Sequence, residues 1–243
     1  MKVIITGATG FIGRALCEEL RGNYEIVAVT RSIAKAEALL GDYARAVTWG
    51  RLGDELGSEE TAIINLAGEN VGDQKWGYGK RINIRKSRLN CTDRIVEAVA
   101  QARKKPSVLV QGSGIGFYGS RGDEELDEQS GSGEGFLAEV CRENEEVAGR
   151  IEEEGVRLAV ARTGIVLESY GGMLERMIHA YRFYMGGYMG SPQRWISWIH
   201  LRDEVRAIRF LLENEELSGP FNLTTEQPVT IGKLCEELSR LLE

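Results

Sequence analysis

The sequence predicts an α/β protein built on a doubly wound, parallel, Rossmann-type sheet with a small C-terminal lobe. Short apolar strands alternate with amphipathic helical segments through the first two thirds of the chain. These strands are nearly continuous apolar runs, as expected of a sheet covered on both faces. The first of them runs straight into a glycine-rich turn and then a helix.

"KVIIT" is the first strand, "GATGFIG" the turn, and Phe11 to Leu20 an amphipathic helix. "YEIVAVT" is the second strand, and "SIAKAEALL" the second helix, with Ser32 as its N-cap. "AVTW" and "TAIINLAG" follow as strands. A long helix covers roughly Lys80 to Ala102 and stops ahead of Pro106. "SVLVQGSG" is a further buried strand. After a loop to Gly135, the stretch "GFLAEVCRENEE" opens another helix, and "VRLAVARTGIVL" reads as one last strand. Beyond Leu167 the rhythm changes to short mixed segments. The expected division is a nucleotide-binding domain over residues 1–167 and a closely packed small lobe over 168–243.

Composition narrows the function. A chain of 243 residues can hold one sizeable core. Its net charge of −7 argues against a dedicated nucleic-acid binder, which needs basic surface. Cys17, Cys91, Cys141 and Cys235 are scattered without a CxxC pair, so reduced thiols are expected. The start "MKVIITG" enters a strand with no signal-peptide pattern. No apolar run approaches the roughly 20 residues of a membrane span. The expectation is a cytoplasmic protein with a small-molecule partner and neither nucleic acid nor membrane. The acidic runs "GDEELDEQS" and "ENEEVAGRIEEEG" read as a solvated loop and the outer face of a helix whose inner stripe is Val140, Val147 and Ile151. Neither has partners at metal-ligand spacing, so no metal is expected.

The turn "GATGFIG" places Gly7, Gly10 and Gly13 between strand and helix. The first allows the tight turn, the second lets backbone approach a pyrophosphate, and the third lets the helix pack on the strand. The backbone of Thr9, Phe11, Ile12 and Gly13 then offers N–H groups and the positive end of the helix dipole to phosphates. The spacing is GxxGxxG rather than GxGxxG, and its flanking strand and helix point to a dinucleotide. An NAD site wants an acid roughly 20 residues further on, at the tip of the second strand. Here that tip is Thr30, Arg31 and Ser32, with Lys35 one turn on. A guanidinium suits a 2′-phosphate where a carboxylate would repel it, so NADP (NADPH) is the expected cofactor. The competing reading of Arg31 is an ordinary exposed arginine after a strand.

Together "GATGFIG", "INLAGENV", "QGSGIGFYG", "ARTGIVL", "SWIHLRDEV" and "GPFNLTTEQPVT" resemble the extended short-chain dehydrogenase/reductase superfamily of epimerases and dehydratases. More closely, they resemble its atypical epimerase-like subgroup, over almost the whole chain. Members usually continue into a further C-terminal segment, which makes this a short or truncated one. The resemblance implies that Leu66, Ala67 and Gly68 pass over the cofactor, and that Arg88 on the long helix faces it with Asn83 as a second candidate; the competing reading of "KRINIRKSR", Arg88 apart, is a solvated basic helix face. It puts Gln111, Gly112 and Ser113 where the superfamily keeps its catalytic Ser or Thr. It also puts Arg162, Thr163 and Gly164 beside the nicotinamide, and implies a homodimer through helices flanking the sheet.

The resemblance also implies a Tyr-x-x-x-Lys pair, in which the lysine lowers the tyrosine's pKa and holds the ribose. Aligned from Ser113, the matching positions are Phe136 and Val140, and no Tyr or Lys occurs between Arg121 and Ser169. The catalytic candidates left are Ser113 and Tyr118, the latter equally readable as a packed aromatic. Trp195, Trp198 and Tyr188 are candidates to line a substrate cleft between lobes, or else interlobe core. His200 is a substrate-side candidate or a loop anchor, and His179 a helix-face residue. Two functions stand: an NADP(H)-dependent epimerase/dehydratase-like oxidoreductase with a non-standard acid/base set, and a non-catalytic NADPH-binding sensor or regulatory module.

Overall fold

Seven parallel strands form the central sheet of the computed structural model, which describes residues 1–57, 59–72, 76–183, 186–187 and 190–242. The first half of the chain alternates as predicted, with a short α3 that was not expected: β1 (Lys2–Thr6), α1 (Phe11–Leu20), β2 (Glu25–Thr30), α2 (Ile33–Leu40), β3 (Arg45–Thr48), α3 (Leu52–Glu55) and β4 (Thr61–Asn65). Next come α4 (Tyr78–Gln101), β5 (Val108–Gly114), α5 (Phe136–Gly149) and β6 (Arg157–Thr163). The remainder is β7 (Ile165–Glu168), α6 (Gly172–Arg182), β8 (Trp195–Ile196), β9 (Trp198–His200), α7 (Leu201–Glu213), β10 (Gly219–Leu223), β11 (Val229–Thr230) and α8 (Ile231–Leu242).

The strand order is β10-β6-β5-β4-β1-β2-β3. The chain leaves β1 toward β2 and β3, then returns to lay β4 on the other side of β1. That reversal opens a crevice beyond the carboxyl ends of β1 and β4, where doubly wound folds bind ligands.

Strand alternation sorts the core onto two faces. Val3, Ile5, Ala28 and Ile64 meet Leu16 and Leu20 of α1 and Val205, Ile208 and Leu212 of α7. Ile4, Val27, Ile63 and Leu109 meet Ile95 and Val99 of α4 and Ala148 and Ile151. Each such fully buried Ile or Leu side chain contributes about 1.5–3 kcal/mol relative to exposure. Helix α1 is set by its spacing: Gly13, Leu16, Cys17 and Leu20 share one buried stripe.

Two expectations are corrected. "VRLAVARTGIVL" is two strands, β6 in the main sheet and β7 paired with β9. The break is at Gly164, where a Cβ would lie 2.8 Å from the Ser197 carbonyl oxygen and 2.9 Å from Thr224 Cγ2. Within residues 168–243, α7 and β10 return to the main sheet layers, α7 against α1 and β10 beside β6. What gathers separately is a small apolar cluster of Ile196, Ile231 and Cys235 with Met173, Met177, Tyr181 and Trp198.

Candidate functional site

At the turn after β1 the backbone is packed to its limit. Gly7 has φ +73°, and a Cβ there would lie 2.5 Å from the Leu66 carbonyl. A Cβ on Gly13 would lie 2.3 Å from the Gly7 carbonyl oxygen and 2.7 Å from Ala8 Cα. The Gly10 N–H closes the turn onto the Gly7 carbonyl at 2.9 Å. Gly10 is the N-cap of α1 and no side chain caps the helix, so its first N–H groups are open to an anion. These features fit a pyrophosphate. The Phe11 ring turns away to pack against Gly171, tying the turn to the start of α6.

The tip of β2 carries the predicted residues in two roles. Ser32 caps α2 by accepting the Lys35 N–H at 3.4 Å, and its own N–H donates to Thr30 Oγ1 at 3.2 Å. Arg31 is exposed, and with Arg94 and Arg88 it acts on the Cys91 thiol of α4. Burial pushes that thiol up and the three arginines pull against it. Neither Arg31 nor Arg94 has a carboxylate within ion-pairing distance among the described residues. Arg94 lies over the Trp49 ring at 4.7 Å instead. This unneutralised positive charge fits a phosphate.

Beyond β4, Arg88 is built into the loop. Its Nη1 donates to the Glu69 carbonyl at 3.0 Å and the Ile84 carbonyl at 3.2 Å, and its guanidinium lies beneath Gly68. Burial lowers its pKa. Leu66 donates its N–H to the Thr6 carbonyl, and the Ala67 N–H reaches Asn65 Oδ1 at 3.2 Å. Asn83 stands exposed on the first half of α4. Below these loops runs a buried polar network that sequence reasoning missed. Thr6 Oγ1 donates to Asn65 Oδ1 at 2.5 Å, and Asn65 Nδ2 donates to Thr92 Oγ1 at 3.0 Å and Gln111 Oε1 at 2.9 Å. Thr92 passes the chain to Asn144 Oδ1 at 2.8 Å. A polar residue in phase with the buried Val140 was the available signal for Asn144.

The face of α5 that meets the end of β5 is one residue on from the expected one. Phe136 packs against Trp76, ring centroids 5.8 Å apart, and Val140 is buried. Leu137 lies against Gly116, Cys141 against the Ser113 hydroxyl and the Gly114 backbone, and Glu145 one turn further accepts from Ser113 Oγ at 2.5 Å. Neither Leu137 nor Cys141 restores a Tyr-x-x-x-Lys pair. Burial pushes the Cys141 thiol up, partly offset by Ser113. Glu145 belongs to the run expected to form an outer helix face; its i+4 spacing from Cys141 was the missed signal.

Glu145 is also the partner of Arg162, whose Nη2 donates to Oε2 at 2.8 Å and Nε to Oε1 at 3.2 Å. Burial opposes the Arg162 charge, but its bonds to Glu145 and Tyr118 hold its pKa above the ordinary value. Arg162 Nη1 donates to Tyr118 Oη at 2.9 Å, and Tyr118 donates to Asn222 Oδ1 at 2.7 Å. The Tyr118 ring is buried, so its hydroxyl is occupied on both sides and joins β6 to β10. The Tyr118 hydroxyl thus lies between a donor and an acceptor, and Ser113 stands at the carboxyl end of β5. The loop expected to be solvated is anchored too: Glu128 Oε1 accepts the Asn222 N–H at 2.8 Å, and Asp123 accepts the Trp195 indole N–H at 2.6 Å.

On the small-lobe side, Trp195 is exposed and Trp198 is half-buried, donating to the Gln227 carbonyl at 3.0 Å. His200 is the N-cap of α7: its Nδ1 accepts the Arg202 N–H at 3.1 Å and its Nε2 faces Glu168 at 3.6 Å. His200 thus joins the start of α7 to β7. His179 is exposed on α6, and Tyr188 lies outside the described residues. The described residues hold no cluster of three or more His, Cys, Asp or Glu able to bind a metal, and no helix long and apolar enough to cross a membrane.

A seven-stranded parallel sheet, a glycine cradle at its switch point and an uncapped helix start define an NAD(P)-binding, Rossmann-like protein. The model of the NAD-dependent epimerase/dehydratase family matches residues 3–224, and the chain belongs to that family, within the extended short-chain dehydrogenase/reductases. It is 38% identical to the chloroplastic epimerase family protein SDR39U1 homolog of Arabidopsis thaliana, covering all of this chain and 71% of that protein. It is 36% identical to the epimerase family protein ML0860 of Mycobacterium leprae over 99% of this chain and 77% of that one. The crystal structure of human epimerase family protein SDR39U1 with NADPH superposes with a TM-score of 0.88 at 28% identity, over 100% of this chain and 80% of that one. A nucleoside-diphosphate sugar epimerase from Corynebacterium glutamicum gives 0.82 at 31% identity, over 100% of this chain and 51% of that one.

Proposed function

We propose that the protein binds NADP(H) and acts as an epimerase/dehydratase-type oxidoreductase on a small, sugar-nucleotide-like molecule, with a proton-handling set other than Tyr-x-x-x-Lys. The observation that carries this is the glycine cradle at the switch point together with Arg31 and Arg94, neither of which has a carboxylate partner among the described residues. The NADPH in the human SDR39U1 structure supports the choice of cofactor. Four unpaired cysteines support a cytoplasmic setting.

The cofactor, when bound, accepts or donates the hydride. The chain's own residues do the rest. The first N–H groups of α1 would hold the pyrophosphate, and Arg31 would bind the 2′-phosphate with Arg94 adding positive charge. Ser113 gives its own proton to Glu145, which leaves it lone pairs with which to accept from a substrate hydroxyl. As that hydroxyl loses its proton to Ser113 Oγ, the serine proton moves to Glu145 Oε1, while Arg162, which favours the carboxylate, holds Glu145 in place. Trp195 offers an exposed aromatic face on the small-lobe side for a ring of the substrate.

A second reading, an NADPH-binding sensor without turnover, draws on the face of α5 that meets Ser113, which carries Leu137 and Cys141 and no tyrosine or lysine. The deciding experiment titrates NADPH and NADH against the wild type and Arg31→Ala, then screens nucleotide sugars and small carbonyls for NADPH oxidation. NADPH should bind at least about tenfold tighter than NADH, a difference of roughly 1.4 kcal/mol, and Arg31→Ala should remove the difference. An unchanged preference in Arg31→Ala sinks the 2′-phosphate assignment. Tight NADPH binding with no turnover across the panel favours the sensor.

A further inference from the structure

Glu204, in the first turn of α7, is 0% exposed. Its Oε1 accepts the Thr163 hydroxyl at 2.7 Å, and its Oε2 is buried with no hydrogen-bond partner. Buried carboxylates normally have a cation or several donors, so a half-bonded one needs an explanation. Burial pushes its pKa up to about 7, with the Thr163 bond pulling the other way.

The charged groups on neighbouring elements are engaged elsewhere. On β6, Arg162 projects to the opposite face of the sheet, toward Glu145. Glu168 of β7 and His200 of β9 face each other. On α1, Glu19 pairs with Arg209 of α7, and the buried Cys17 stays a neutral thiol with its pKa pushed to about 12. On α7 itself, Arg202, Asp203 and Arg206 are exposed. Strands β5 and β10 bring no titratable group: in register with Thr163 they offer Gly114 and Leu223.

Thr163 is the last residue of β6, at the carboxyl edge of the sheet, and is half-buried where Glu204 is sealed. We propose that Glu204 and Thr163 form a proton-reversible hydrogen bond that sets whether the β6 tip presents a donor or an acceptor to a bound NADP(H). With Glu204 ionised, Thr163 Oγ1 donates inward and offers a ligand only lone pairs. When Glu204 takes up one proton on Oε1, the acid donates to Thr163 Oγ1, and the threonine proton turns outward as a donor. One proton enters from solvent and no other bond changes. The orphaned Oε2 is consistent with a group whose working contact is made through Oε1 alone. The effect on cofactor binding rests on the NADP(H) reading above.

Two measurements test this. In infrared titration, a carboxylic-acid carbonyl band should disappear with a midpoint at about pH 7 in the wild type. It should be absent from Glu204→Gln, and its midpoint should move up in Thr163→Val, which removes the bond that favours the carboxylate. No titrating band, or an unmoved midpoint in Thr163→Val, overturns the proposal. NADPH affinity should fall about tenfold between about pH 6 and about pH 9 in the wild type and in Thr163→Ser. Glu204→Gln should keep the tighter value throughout, and Thr163→Val the weaker. Titration of the cofactor's own phosphate is common to all four proteins, so only the differences among them count. A transition that persists in Glu204→Gln or Thr163→Val overturns the proposal. If NADPH binds none of them at any pH, the cofactor reading falls, and the infrared titration still decides the hydrogen bond.

Discussion

Gly13 shows how little tolerance the cradle has. Its missing side chain is replaced by backbone, the Gly7 carbonyl and Ala8 Cα, which cannot swing aside as a side chain would. Gly13→Ala should lower stability by about 1–3 kcal/mol and weaken NADPH binding, read by thermal melting and cofactor titration. Gly53 in α3 is the control. A Cβ there meets nothing within 4 Å, so Gly53→Ala should be neutral or stabilise by about 0.5–1 kcal/mol without touching affinity. Equal losses in the two variants would mean that the clash is not what constrains Gly13. Glu145 and His200 show the same dependence on surroundings. One left an expected solvent face to join Ser113 and Arg162, and the other gave its Nδ1 to a helix start.

Helix α5 works on two faces at once. Leu137, Cys141 and Glu145 meet the tip of β5, while Val140 and Asn144 are buried. Asn144 receives the Thr92 hydroxyl at 2.8 Å and so ties α5 to α4 beneath the crevice. Asn144→Ala should leave the Thr92 hydroxyl without its acceptor and cost about 1–3 kcal/mol in chemical denaturation. The loss should exceed that of Glu146→Ala, an exposed position on the same helix. A loss no greater than at Glu146 would show that the network does not fasten the two helices.

At the scale of the whole molecule, Glu204 predicts how stability depends on pH. Its pKa rises from an ordinary 4.5 to about 7 on folding. The stability this leaves intact is fully present below the ordinary carboxylate range and is lost as pH rises through about 7. The loss amounts to about 3 kcal/mol at about 1.4 kcal/mol per pKa unit. Glu55 works in the other direction. Its hydrogen bonds to Arg45, against the cost of burial, hold its pKa below the ordinary value, so its contribution fades as pH falls through the acid range. Stability should therefore peak under mildly acidic conditions, and melting across pH should show Glu204→Gln losing the decline on the alkaline side. A decline as steep in that variant as in the wild type would remove Glu204 as its cause.

The elements that were legible in the sequence are those set by neighbours along the chain. Strand β1, the glycine turn and α1 follow from apolar spacing and the absence of side chains at three positions, and the Ser32 cap from a hydroxyl three residues before Lys35. The break at Gly164 was hidden because the groups that crowd it, the Ser197 carbonyl and Thr224 Cγ2, come close only after folding. The polar network was hidden because its bonds join residues 27 to 59 positions apart. By itself, then, the sequence determined the alternating fold, the cradle and the absence of a tyrosine–lysine pair, since local sterics and residue chemistry act without a tertiary partner. Only the tertiary structure decided which face of α5 meets Ser113, that the Tyr118 hydroxyl lies between Arg162 and Asn222, and that Glu204 is sealed beside Thr163. Burial and hydrogen bonding belong to pairs of groups, and those pairs exist only once the sheet has brought them together.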